Sequence, residues 1–285
     1  MITSSEKAHI LTKAYVPEHI VSLMTSISKG DPFLKEDYLG FVKDNWLILV
    51  GYPLEGIFSQ KGCERILKWA VETYRPEILW FIGPEIPTSL TDCCAERQSD
   101  RYYTLDITQT AIKPSLLRAA EKASGELTLE RGQSISEEHE VLIAELVQRK
   151  ELPDRVRGLY QAMPDYFGGT STAWVLDARD KRGRLTAFMV VELGAKYFSA
   201  YILGSHSKQR YVPHASDLLF LDMIDLTRES GKTTIHLGLG VNEGIRRFKE
   251  KWGGKPFLAY EFAERRYGAA KKASLIDALM GKFLF

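Results

Sequence analysis

The chain has few cysteines, and their number and positions argue against a disulfide framework. The 285 residues include three, Cys63, Cys93 and Cys94, and two of these are adjacent. Small secreted domains that rely on disulfides carry even sets of cysteines at regular spacings. The first residues also lack the apolar core of a secretory signal. We therefore expect a cytoplasmic protein in a reducing compartment.

Long apolar runs, an excess of one charge and several catalytic motifs are also missing. No stretch approaches the ~20 apolar residues of a membrane-spanning helix, and the longest strand-like run is Trp46–Val50. The net charge of +1 gives no general attraction to nucleic acids or membrane surfaces. The histidines form no H-x-x-x-H pair and there is no C-x-x-C, so no metal site is predicted. The absence of G-x-x-x-x-G-K-[ST] and G-x-S-x-G excludes P-loop and nucleophile-elbow enzymes.

What is present is an alternation of apolar strands and amphipathic helices, which predicts an α/β protein. Strands are predicted at residues 8–14, 46–50, 77–82, 101–107, 127–131, 172–176, 185–193, 197–203, 233–237 and 257–262. Helices are predicted at residues 17–24, 34–42, 59–75, 108–125, 136–147, 153–163, 216–230, 242–252 and 275–284. A polar hairpin joins the strands at 172–176 and 185–193, and Gly183 supplies its turn.

The pattern of elements repeats once along the chain. Helix 59–75 with strand 77–82 resembles helix 216–230 with strand 233–237, at an offset of about 150 residues. A chain of 285 residues is long for one domain and comfortable for two. We predict an N-terminal domain at 1–112, shortened, and a C-terminal domain at 113–285.

The most informative stretch runs from residue 235 to residue 254. A short apolar strand ends at two glycines, and Asn242 then stands where a helix N-cap is expected. Ile245, Phe248 and Trp252 follow at helical spacing and predict one buried face. On a helical wheel Lys249 lies on the flank of that face.

This stretch resembles the closing segment of the GNAT acyltransferase fold, which reads roughly N-x-x-A-x-x-x-Y-x-K-x-G-F. Asn242, Ile245, Lys251 and Gly253 take its Asn, Ala, Lys and Gly positions, and Lys249 stands where many GNAT enzymes carry a tyrosine that serves as general acid. The form G-x-x-x-F-K-x-K-x-G-G is closer to the FemAB-like branch. The resemblance implies two GNAT-like halves, each a mixed twisted sheet flanked by helices, with the site in the C-terminal half.

The resemblance also implies a binding loop for an acyl donor after strand 197–203. GNAT proteins hold the pyrophosphate of acyl-CoA on the backbone of a Q/R-x-x-G-x-G/A loop at a helix N-terminus, where orphan amides attract anions. Here Pro213 replaces the central glycine and removes one donor. The donor, acyl-CoA or acetyl-CoA, is then expected to contact seven residues: Leu203, Gly204, Arg210, His214, Ala215, Ser216 and Phe248. Backbone N–H groups near Leu203 and Gly204 would polarise its carbonyl, and no metal is expected. The alternative is an ordinary proline-containing loop capped by Ser216.

Five residues are candidates for the chemistry, and each has a structural alternative. Lys249 is expected to meet a phosphate or carboxylate or to protonate a leaving thiolate, unless it merely extends its ammonium into water. Asn242 is a cap in either case. Glu192, Tyr201 and His236 are candidate bases, with a solvated strand end, a core tyrosine and a satisfied interior imidazole as the respective alternatives.

These observations predict an acyl- or aminoacyl-transferase that moves an acyl group from an activated donor to an amine. The acceptor is expected to be a small molecule or a peptide, and tRNA enters only if the donor is an aminoacyl-tRNA. The sequence does not fix the oligomeric state, and a homodimer is one of the alternatives. The competing hypothesis is a non-catalytic GNAT-like protein that binds a ligand or partner, which the loss of the central glycine and of the tyrosine favours.

Overall fold

The computed structural model describes residues 2–148 and 154–267. Its strands are β1 Asp31–Lys35, β2 Tyr38–Lys43, β3 Trp46–Val50, β4 Ile78–Gly83, β5 Glu96–Asp106, β6 Leu127–Gly132, β7 Ala173–Asp180, β8 Leu185–Glu192, β9 Phe198–His206, β10 Thr234–Leu239 and β11 Lys255–Arg266. Its helices are α1 Ser4–Lys13, α2 Val21–Ser28, α3 Gln60–Tyr74, α4 Thr88–Thr91, α5 Pro114–Ser124, α6 Glu137–Val147, α7 Asp154–Gln161, α8 Met163–Gly169, α9 Ala215–Glu229 and α10 Glu243–Lys251, with a 3-10 turn at Pro17–His19.

The described chain forms two compact units that interleave in the sequence. The first contains residues 2–102, 239–241 and 256–267, and the second contains the described parts of 103–238 together with 242–255. A late segment of the chain therefore returns to the first unit. The expected domain boundary between residues 112 and 113 stays a prediction.

The first unit is built on strands in the order β1-β2-β3-β4-β11. Strands β3 and β4 are parallel, and the other neighbouring pairs are antiparallel. Every residue of β3 is buried, because apolar side chains cover both faces of this part of the sheet. A carboxylate lies in one of these faces: Glu264 of β11 is buried and accepts a hydrogen bond from the indole of Trp80 at 2.9 Å.

The second unit has strands in the order β10-β9-β8-β7-β6, with β9 and β10 parallel and the other pairs antiparallel. Helices α5 and α9 pack on the face that Met189 and its neighbours present, and α6 packs on the opposite face beside Phe188. Gly183, at a φ of +75°, makes the predicted turn between β7 and β8. This arrangement fixes the ends of β9 and β10, where the candidate site lies.

Two predicted elements are wrong. Residues 8–14 lie largely in α1 rather than in a strand, because Thr3 and Glu6 form a capping box that starts a helix. Residues 34–42 form the hairpin of β1 and β2 rather than a helix. The spacing of their apolar residues fits both structures. The hairpin forms because β2 pairs with β3, a contact that the spacing of residues in the sequence does not reveal.

Two further expectations concern helix caps, and a third concerns a helix near the C-terminus. The predicted cap at Asn242 is confirmed, since its side-chain oxygen accepts the N–H of Ile245 at 3.0 Å. The predicted cap at Ser216 is wrong, because α9 starts after His214, whose φ is +67°. The helix expected at 275–284 lies outside the described residues.

Candidate functional site

Strands β9 and β10 separate at one end, and the candidate site lies at this opening. Their backbone pairing joins residues 198–200 to residues 234–236, after which β9 continues to His206. In the same region the register between β8 and β9 shifts, so that Val190 is opposite Leu203 but Val191 is opposite Tyr201. This shift is a β-bulge, which turns backbone groups away from regular pairing.

One side of the opening is formed by the segment from Tyr201 to Gly204. The hydroxyl of Tyr201 lies 3.2 Å from the point that a β-carbon on Gly204 would occupy, and Leu203 is buried. Burial raises the pKa of Tyr201 to about 12, so its phenol stays protonated near neutral pH. Such a phenol is suited to donate a hydrogen bond rather than to act as a base. The carbonyl of Gly204 accepts a hydrogen bond from the hydroxyl of Tyr160.

The other side of the opening carries Lys249, which is 4% exposed. Its ammonium nitrogen lies 5.8 Å from the ring centroid of Tyr103 and 3.9 Å from the point that a β-carbon on Gly238 would occupy. Gly238 has a φ of +71°, which residues other than glycine rarely adopt. The alternative of an ammonium extended into water therefore does not hold. Ile245, expected in the buried face, is 37% exposed, because α10 is rotated so that Lys249 and Trp252 face inward.

A neutral histidine accompanies this buried cation. His236, 1% exposed, accepts the N–H of Gly238 on its Nδ1 at 3.2 Å. Burial lowers the pKa of His236 to about 3, and the charge of Lys249 adds to the effect. The imidazole is therefore uncharged at neutral pH.

In the loop that leads into α9, polar groups that the resemblance assigns to donor binding make hydrogen bonds within the protein instead. The side chain of Arg210 donates from Nε to the carbonyl of Leu185 at 3.3 Å. The backbone N–H of Arg210 donates to the hydroxyl of Ser207 at 3.3 Å. The N–H of Ala215 is used within the loop, since it donates to the carbonyl of Val212 at 3.3 Å. Ser216 is exposed at the start of α9.

Sequence reasoning missed Asp217, which lies in the first turn of α9. Its buried carboxylate accepts hydrogen bonds from Lys251 at 2.5 Å, from the indole of Trp252 at 3.2 Å and from His214 at 3.2 Å. An acidic side chain in the first turn of a helix was the available signal, since it stabilises the positive end of the dipole. Phe248 packs nearby, with its ring 5.4 Å from that of Phe220 in an edge contact. Asp217 thus ties α10 to α9.

Glu192 belongs to a separate hydrogen-bonded group. It is fully buried, so the alternative of a solvated strand end is wrong. One carboxylate oxygen accepts the N–H of Gly194 at 2.6 Å, and the other accepts the hydroxyl of Tyr166. Both oxygens are thus engaged within the protein, and a catalytic role for Glu192 stays a prediction.

The structure therefore brings Tyr201, Leu203 and Gly204 together on one side of the opening and places Lys249 on the other. Arg210, His214, Ala215 and Ser216 lie at or before the start of α9. Among residues 2–148 and 154–267, no cluster of His, Cys, Asp and Glu side chains is arranged to hold a metal ion. Across the same ranges, no helix has the length and apolar character needed to cross a membrane.

Comparison with known proteins shows likeness in structure. No family model matches the sequence, and no curated protein matches it. The C-terminal domain of a protein named as a lysylphosphatidylglycerol synthetase from Agrobacterium fabrum superposes with a TM-score of 0.61 at 16% identity, covering 98% of this chain and 96% of that one. FemX gives a TM-score of 0.60 at 11% identity, with coverages of 92% and 96%. A tandem GNAT protein from the clavulanic acid pathway gives 0.57 at 13% identity, with coverages of 94% and 97%. At these identities the likeness concerns architecture, and the chain has the tandem GNAT fold.

Proposed function

We propose that this protein transfers an acyl or aminoacyl group from an activated donor, acyl-CoA in the first instance, to an amine. The amine nitrogen attacks the donor carbonyl, the new C–N bond forms, and the C–S bond of the thioester (or the C–O bond of an aminoacyl ester) breaks. The proton that the amine loses balances the proton that the leaving group gains. Direct attack needs no enzyme nucleophile, so positioning and charge stabilisation are the tasks left to the protein.

The observation that carries this proposal is the buried ammonium of Lys249 beside the opening of β9 and β10. A cation held away from water stabilises a nearby negative charge more strongly than a solvated one, and such a charge develops on the leaving group during transfer. Lys249 is 4% exposed, and its imidazole neighbour His236 is neutral. The position is also the one at which the sequence resemblance expects a general acid.

The opposite side of the opening supports the same reaction. The bulge between β8 and β9 falls between Tyr201 and Leu203, beyond the stretch of β9 that pairs with β10, and the protonated phenol of Tyr201 lies next to Gly204. A carbonyl oxygen that becomes negative during attack would find this donor there. We assign Tyr201 to this stabilising role rather than to that of a base.

The identity of the donor is the less constrained part of the proposal. Asp217 already places a carboxylate in the first turn of α9, and Pro213 removes an amide from the loop. Both features weaken the site for a pyrophosphate and favour either an aminoacyl donor or the second candidate function, a non-catalytic protein that binds a ligand. The name of the Agrobacterium relative suggests a lysyl group as one aminoacyl arm to test.

The experiment is a donor panel with detection of the product by mass spectrometry. Acetyl-CoA, a long-chain acyl-CoA and lysyl-tRNA are each incubated with the protein and a mixture of small amines and short peptides, and a parallel arm offers phosphatidylglycerol vesicles. A new amide that depends on Lys249 supports the proposal. Product on phosphatidylglycerol alone, which has hydroxyls and no amine, is an ester and would overturn the assignment of an amine acceptor. Saturable binding of one donor without product supports the non-catalytic candidate. Neither binding nor product with any donor would refute both.

A further inference from the structure

A cavity of about 350 Å³ lies among helices α6, α7 and α8 of the second unit. Its inner wall is formed by the buried side chains of Ile143 and Tyr160, and Pro164 adds further apolar surface. The rim carries three exposed polar side chains: Glu140, Gln148 and Gln161. The volume is at the small end of the range for sites that bind small molecules.

The charge of the cavity is its most specific property. Among its lining residues in the described chain, Glu140 is the sole ionisable acid, and none is a lysine, arginine or histidine. An apolar wall with one carboxylate on the rim is complementary to an alkyl chain that ends in an ammonium group. Among these described lining residues, an anionic ligand would find no cation.

The cavity is joined to the candidate site through one side chain. Tyr160 forms part of its wall and also donates its hydroxyl hydrogen to the carbonyl of Gly204. Gly204 follows the bulge in β9, where the donor carbonyl is expected. A molecule held against Tyr160 is therefore next to the strand segment that forms one side of the opening.

We infer that this cavity binds a cationic alkylamine and is the acceptor subsite of the transferase, an inference that rests on the proposed function. Glu140 attracts the ammonium group from solvent, and Ile143 and Pro164 contact the carbon chain. The amides of Gln148 and Gln161 are placed to contact polar substituents. Tyr160 is a positioning residue that couples the wall of the cavity to Gly204.

Binding is tested directly, without turnover, by ligand-observed NMR with three probes of equal length: 1,5-diaminopentane, 1,5-pentanediol and glutarate. The diamine is expected to bind at least tenfold more tightly than the diol, and glutarate is expected not to bind. The Glu140→Gln variant should weaken diamine binding at least tenfold. Glu137→Gln removes an exposed acid from the same helix outside the cavity and should change binding less than twofold.

Equal binding of diamine and diol, or unchanged diamine binding in Glu140→Gln, would overturn the assignment. Once an acceptor is known, Glu140→Gln should raise its KM with donor binding unchanged, whereas Tyr160→Phe should lower kcat with little change in KM. If the protein transfers the group but Glu140→Gln leaves the KM of the acceptor unchanged, the proposed function is retained and the assignment of this subsite is wrong. If the protein binds the diamine specifically but shows no transfer activity, the cavity is an amine-binding site and the proposed transferase function is wrong.

Discussion

The burial of Lys249 is the feature of single residues with the largest consequence. A helical wheel places it on the flank of the apolar face, and that much was evident from the sequence. The extent to which Lys249 is buried was not evident from the sequence, because it depends on Tyr103 and Gly238, which lie on other strands. Desolvating an ammonium is unfavourable, so its burial points to a charge that the residue meets during function rather than to a gain in stability.

The Lys249→Met variant separates these possibilities, because methionine keeps most of the apolar stem and loses the charge. We expect the free energy of unfolding to hold or rise, and the transfer rate to fall at least tenfold, about 1.4 kcal/mol. Denaturant titration and single-turnover rates provide the measurements. Arg246→Met, at an exposed position of the same helix, is the matched control, since Lys251 is unsuitable because of its ion pair with Asp217. Equal rates in both variants would remove Lys249 from the mechanism.

Arg210 tests the donor loop at the same scale. If the loop holds a phosphate, Arg210→Ala should weaken donor binding by about 1–3 kcal/mol, as expected for the loss of a charge-assisted hydrogen bond. Calorimetric titration measures this. Lys208→Ala, exposed in the same loop, should have the smaller effect. Because Arg210 also donates to Leu185, a variant that melts much earlier than the parent would assign the residue to the fold rather than to the donor.

Two buried histidines predict how stability depends on pH. Burial lowers the pKa of His19 to about 4 and that of His236 to about 3, whereas an unfolded histidine titrates near 6.5. Below pH 6.5 the unfolded chain therefore binds protons that the folded chain does not, and stability falls with pH. At pH 5 each histidine should account for a loss of about 2 kcal/mol.

Urea denaturation at pH 7 and pH 5 measures this loss, and single variants assign it. His19→Gln and His236→Gln should each reduce the difference between the two pH values, whereas His9→Gln, at an exposed position, should leave it unchanged. Glu18, whose pKa burial raises, acts in the opposite direction, which is why single variants are compared rather than totals. An unaltered pH dependence in both buried variants would contradict the prediction.

At the scale of elements, sequence patterns predicted most strands and helices but not their neighbours. The helix capped by Ser59 and strands β3 and β4 were recognised, because their signals are local: a cap, an apolar run and a glycine or proline. The hairpin of β1 and β2 was missed, because its apolar spacing also fits a helix. The same limit applies to the site, where Asp217 and the bulge in β9 depend on contacts between distant segments.

The start of α6 illustrates an element fixed by a buried polar group. The backbone N–H of Ser136 donates to Nδ1 of His139 at 3.0 Å, and Nε2 of His139 bonds to the buried carboxylate of Asp177 on β7 at 2.8 Å. Replacing Asp177 by alanine leaves the buried imidazole without this acceptor and should lower the free energy of unfolding by about 1–3 kcal/mol. Urea denaturation measures the loss.

The control for Asp177 lies on the neighbouring strand β6. Glu130 shares an arginine partner with Asp177, Arg179, but its side chain is 60% exposed. Exposed ion pairs contribute about 0–1 kcal/mol, so Glu130→Ala should have the smaller effect. If the two variants unfold alike, the His139–Asp177 bond does not secure α6.

At the scale of the whole molecule, the sequence predicts an apolar tail. Leu279, Met280, Phe283 and Leu284 recur at helical spacing beyond the described residues, and such a surface is unfavourable in water. Deleting residues 273–285 should lower the melting temperature or cause self-association. Differential scanning calorimetry and light scattering measure these effects. A truncated protein that stays monodisperse with an unchanged melting temperature would show that the tail contributes nothing to the body.

The return of β11 to the first unit has a consequence for synthesis on the ribosome. Gly83 at the end of β4 pairs with Glu261, roughly 180 residues later in the chain. At translation rates of about 5–20 residues per second, β4 emerges roughly 10–40 s before the strand that covers its edge. A wholly buried, apolar strand with an open edge is the kind of nascent segment that chaperones recognise and that aggregates when they are scarce. Production of this protein should therefore depend on how the cell manages an incomplete sheet during those seconds.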